Sequence, residues 1–116
     1  MPEAPTLTDF KETARLFRAL AHPLRLAITC GLARSPATQG EIVAVLGRPQ
    51  STIAQHLAKL RSAGVVSGRR EGALVVFHVT DPAAGAVIEA VCRQRHSSTL
   101  REITWEELGA LDWNSI

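Results

Sequence analysis

At Gly64 the apolar rhythm of the chain changes. Upstream, apolar residues recur every three or four positions, whereas in "VVSGRR" and "ALVVFHV" they alternate in steps of two. These two periods belong to different backbones, so Gly64 divides a helical body from a pair of strands. The intervening "REGA" carries a glycine where a hairpin tip needs one. A two-stranded β wing is therefore predicted, with Arg69 and Arg70 leading into its tip.

Four helices are read before that boundary. The first runs from about Thr8 to Ala21, with Thr8 as candidate cap and Phe10, Ala14, Phe17, Leu20 and Ala21 on one face. His22-Pro23 ends it and opens the second, because proline suits a first helical turn; His22 is expected to pack or cap at this junction. Leu24, Ala27, Ile28 and Leu32 form one apolar strip of the second helix, and Leu26, Cys30 and Ala33 form another, so burial on most sides is expected. Thr38 and Glu41 make a capping box for a third helix with Ile42, Val43 and Leu46 inward. After the turn "GRPQ", the fourth extends from about Pro49 to Ala63 and closes on Gly64 in the left-handed conformation. Two helices joined by such a turn are a helix-turn-helix.

Beyond the wing, Thr80-Asp81-Pro82 begins a fifth helix to about Arg95, striped by Ala84, Val87, Ile88, Val91 and Cys92. After "HSST", Thr104 and Glu107 form a second capping box, and Ile103, Trp105, Leu108, Leu111 and Trp113 make the tail a short amphipathic helix. The tryptophans are expected to fill a groove of this domain or of a second subunit. The expected fold is mainly α with a two-stranded wing: a winged helix-turn-helix over residues 1–95 and an amphipathic tail over 96–116.

A chain of 116 residues builds a modest core and gains from dimerising. No apolar run reaches membrane-span length and the start lacks a secretion signal, so the expected compartment is the cytoplasm, with no membrane partner. No Ser, His and Asp arrangement, glycine-rich phosphate loop or carboxylate pair stands out, which argues against an enzyme and against a cofactor.

Charge is distributed unevenly. Between Arg15 and Arg70 nine basic residues face one acidic residue, Glu41, a balance of +8, while the segments on either side are acidic. A middle region that meets a polyanion fits this asymmetry. Within it, "STIAQHLAKLRSAG" places Gln50, Ser51, Thr52, Gln55 and His56 in the first two turns of the fourth helix, with no carboxylate among them. Side chains that donate and accept at base edges are what a helix in the DNA major groove must offer. Lys59 and Arg61 further along, and Arg69 and Arg70 on the wing, suit phosphates or a neighbouring minor groove. The competing reading is a winged-helix module for protein contacts, which should expose apolar residues on this face; Gln50, Ser51, Thr52 and Gln55 are polar.

"LFRALAHPLRLAITCGLA" followed by "STIAQHLAKLRSAGVVSGRREGALVVFHV" resembles the ArsR family of winged helix-turn-helix repressors over about residues 12–95. The resemblance implies a homodimer built on the first and last helices, operator recognition through Gln50, Ser51, Thr52, Gln55 and His56, and release by a small inducer. Two positions depart from the family pattern: Ala54 stands where it has Ser, and Phe77 where it often has Tyr. The cysteine pair of the family's arsenic and cadmium sensors is replaced by valines in "EIVAVL". The family's second metal site begins at a position matched by Asp81, yet Pro82 and Ala83 follow, leaving Cys92 and His96, spaced i, i+4, as the alternative metal ligands. Cys30 and Cys92, one in the second helix and one in the last, are placed like those of the subgroup that senses reactive sulfur or oxidants by linking two cysteines. The same positions also suit two small hydrophobes that simply pack.

Overall fold

The structure, a computed structural model, describes residues 3–96 and 103–115, and for 92–96 the backbone alone. Helices α1 (Leu7–Leu20), α2 (Pro23–Arg34), α3 (Gln39–Leu46) and α4 (Gln50–Ser62) precede strands β2 (Val66–Glu71) and β3 (Leu74–Val79). Strand β1 (Ala37–Thr38) lies between α2 and α3, while α5 (Pro82–His96), α6 (Trp105–Gly109) and a 3-10 turn (Trp113–Ser115) follow the sheet.

Apart from α4, the helices begin where a side chain satisfies their free N–H groups. Thr6 and Asp9 close a capping box on α1, two residues before the expected Thr8 cap, because the acidic partner three residues on is Asp9. The imidazole Nδ1 of His22 accepts from the Leu24 N–H, so this histidine caps α2 as expected at the junction. Thr38 and Glu41 form the predicted box on α3, and Thr104 and Glu107 the one on α6. Gly47, at the end of α3, and Gly64, just past α4, both have positive φ, the conformation that side-chain-bearing residues resist.

The core lies where α2, α3, α4 and the root of the wing meet. Ile28, Ile42, Ile53, Leu60 and Val65 are wholly buried there, joined by Leu24, Leu57 and Val66. The apolar stripes of α1 and α2 are covered only in part. On α1 the inward residues are Leu16, Ala19 and Leu20, whereas Phe10 is 66% and Phe17 52% exposed. Apolar spacing defines a stripe without saying what covers it, and α1 carries two. On α2, Leu26 and Ala33 are exposed, so its second strip is only partly covered; Arg25 and Thr29 are the buried polar residues.

The wing is also larger than expected. β1 pairs antiparallel with β3, Ala37 opposite Phe77 and Thr38 opposite Val76, so the sheet has three strands in the order β1-β3-β2. The tail packs back onto the body: Leu108 and Trp113 are buried, and the Trp105 indole donates to the Ser35 carbonyl at 2.9 Å. Arg48, in the turn between α3 and α4, donates to Asn114 Oδ1 at 2.5 Å. Among the described residues no helix is long and apolar enough to cross a membrane.

Candidate nucleic-acid interface

The helix-turn-helix is α3, the turn 47–49, and α4. Ile53, Leu57 and Leu60 bury one side of α4 and so fix which residues face away. Gln50, Ser51 and Gln55 lie on the exposed side, with Lys59 and Arg61 further along, and Thr52 is half-buried. Pro49 precedes the helix without a side-chain hydrogen bond to its first turn. That end therefore offers backbone N–H groups and a partial positive charge beside the polar side chains, a combination suited to a phosphate next to base edges.

His56 is held differently from its neighbours. It is half-buried, its ring 4.5 Å from that of His22, with Nδ1 3.3 Å from a guanidinium nitrogen of Arg25. Burial, and then the charges of His22, Arg25 and Lys59, lower its pKa to about 4. The ring is thus neutral at pH 7 and ties the reading helix to α2.

The remaining candidates divide. Arg61 extends over the Phe77 ring, 5.7 Å from its centre, linking α4 to the wing. Phe77 is itself buried, so the position is apolar for packing reasons. Arg69 pairs with Glu71 on the same face of β2, its Nη2 2.7 Å from the carboxylate, while Arg70 is exposed. The side chains of Cys92 and His96 lie outside those described. Cys30 is half-buried against the core, on a helix that packs against α5.

Sequence reasoning counted Arg25 only as one of many charges. It is 8% exposed; Nε donates to the Ala19 carbonyl at 2.6 Å, and Nη2 to that of Arg18 at 3.3 Å. The available signal was an arginine in the first turn of a largely apolar helix, three residues after a capping histidine.

A three-helix body, a helix-turn-helix with an acid-free polar face and a β wing define a winged-helix DNA-binding protein. The sequence model for "Bacterial regulatory protein, arsR family" matches residues 22–67. The chain is 40% identical over 80 residues to the biofilm growth-associated repressor of Agrobacterium fabrum, covering 69% of this chain and 68% of that protein. It is 38% identical over 91 residues to the HTH-type transcriptional repressor SmtB of Mycobacterium tuberculosis, covering 78% and 67%. The solved structure of reduced HlyU from Vibrio cholerae matches with a TM-score of 0.71 at 31% identity, covering 77% of this chain and 94% of that one. The chain belongs to the arsR family of bacterial regulatory proteins. It is a regulator of transcription and not an enzyme.

Proposed function

We propose that the protein is a homodimeric cytoplasmic repressor that reads operator DNA with α4 and releases it when Cys30 and Cys92 are oxidatively linked. The observation that carries the DNA reading is the exposed row Gln50, Ser51 and Gln55 on α4, with no acidic residue on that helix. Arg70 and Lys59 supply phosphate contacts, and Thr52 and His56 hold the flank of the helix against the body. Dimerisation is supported by the apolar side chains left uncovered on α1, Leu7, Phe10 and Phe17, and by Val91 on α5.

The inducer is a reactive sulfur species or an oxidant. Linking the cysteines removes a proton from each thiol and passes an electron pair to that species. The packing of α5 on α2 supports this reading, because a bridge there would shift the last helix against the body that carries α4.

Fluorescence anisotropy with DNA from upstream of its own gene tests both parts. Gln55→Ala should weaken binding about 5- to 100-fold, the range for losing a paired contact to one base. An unchanged affinity would show that α4 does not read the operator. Treatment with a persulfide donor should release the DNA, and a thiol reductant should restore binding; persistent binding, or release that survives Cys30→Ser, returns the cysteines to a packing role.

A further inference from the structure

Beside α4, away from its base-reading end, α1, α2 and α4 border an open cleft of about 540 Å³. It is shallow and open to solvent, and its charged lining is entirely cationic: Arg15 and Arg18 from α1, Arg25 from α2 and Lys59 from α4. Ala19 and Ala58 provide the apolar floor. Arg15 donates to the Ser62 carbonyl at 2.9 Å, which covers the negative end of α4 and leaves its own charge at the cleft.

Arg25 is the decisive residue. A guanidinium more than nine-tenths buried is costly unless a negative group offsets it, and its partners here are neutral: two backbone carbonyls and the His56 ring. Among the described residues the ion pair within bridging distance is Arg69 with Glu71, on the wing. Those three bonds use three of the five N–H donors of Arg25, which itself lines the cleft. The lowered pKa of His56 is consistent with an unneutralised positive field at this place.

We propose that this cleft is a phosphate site, built by Arg15, Arg18, Arg25 and Lys59. Guanidinium forks match the tetrahedral oxygens of phosphate, and four cations around one opening fit an anion of more than one charge or a strongly hydrated one. The phosphate belongs either to the DNA backbone flanking the groove read by α4 or to a small phosphate-bearing molecule seated on the alanine floor. The first source rests on the operator reading above; the second does not.

Two measurements separate these sources. In the first, inorganic phosphate is titrated into the protein at constant ionic strength against chloride, and backbone amide resonances are followed by NMR. In the second, the salt dependence of binding to DNA from upstream of its own gene is measured by anisotropy. Each compares wild type with Arg15→Gln/Arg18→Gln, which spares the DNA contact assigned to Lys59, and with Lys11→Gln/Arg34→Gln, which removes the same charge from exposed positions outside the cleft.

Phosphate-dependent shifts at Arg18, Ala58 and Lys59, lost in the cleft variant and kept in the control, establish the site. A salt slope that falls by about 0.9 per lost contact in the cleft variant, and less in the control, assigns it to a backbone phosphate. Shifts with matching slopes in both variants assign it to a free phosphate-bearing ligand. No localised shifts and equal slopes overturn the proposal. Should wild type fail to bind the DNA while phosphate still shifts the cleft, it is the operator reading that falls.

Discussion

Protonating His56 would place a charge beside Arg25, His22 and Lys59 in a half-buried position, which is why its pKa is held down to about 4. In the unfolded chain the same ring takes a proton near its ordinary 6.5. Between those values the unfolded state binds a proton that the folded state refuses, so stability falls as pH falls. The contribution is complete above about pH 6.5 and is lost progressively toward pH 4. His22 is shifted the same way, by burial first and then by Arg25 and Lys59, and adds to the effect. The urea midpoint should therefore drop between pH 6.5 and 4, and His56→Gln should flatten that slope relative to wild type. Parallel slopes would show that other groups govern the acid limb.

Among the elements, the tail offers the sharpest test. Gly31 lies under Trp105 so closely that an added Cβ would come within 2.6 Å of the ring, and one at Gly109 would collide with the Val45 carbonyl. Gly31→Ala should cost about 1–3 kcal/mol, the usual cost of overpacking, with red-shifted tryptophan emission and unchanged far-ultraviolet circular dichroism. Unaltered emission would mean that the tail does not need this contact.

The capping boxes at Thr38 and Thr104 were legible in the sequence because all their parts lie within four residues. β1 was not: it is two residues long and exists only by pairing with a strand some forty residues away. The same limit hid Arg25, whose burial depends on carbonyls of α1, and the outward face of Phe10 and Phe17, which no local pattern reveals. The polar face of α4 was readable because Ile53, Leu57 and Leu60 fix its orientation from spacing alone, but the capture of His56 by Arg25 needed a contact across 31 positions.

For the whole molecule, the uncovered aromatics of α1 are where the proposed dimer is tested. Phe10→Glu/Phe17→Glu should leave the fold intact, since both side chains are more than half exposed, and should turn the dimer into a monomer by light scattering after size exclusion. Operator affinity should fall at least tenfold, because each subunit then meets one half-site alone. A variant that keeps the dimeric mass would move the interface elsewhere.

β1 joins the wing sheet through β3, and its Thr38 is the residue that caps α3. Arg61 adds a second tie by lying over Phe77 of the same strand. The helix proposed to read DNA and the wing are thus tied to each other at two places, like the jaws of a caliper. On the operator reading proposed above, contacts tied in this way gauge the spacing of the target as well as its bases. A half-site lengthened by one base pair between the two contacts, about 3.4 Å along the axis, should then be bound more weakly, because the DNA must bend or untwist for both contacts to be made.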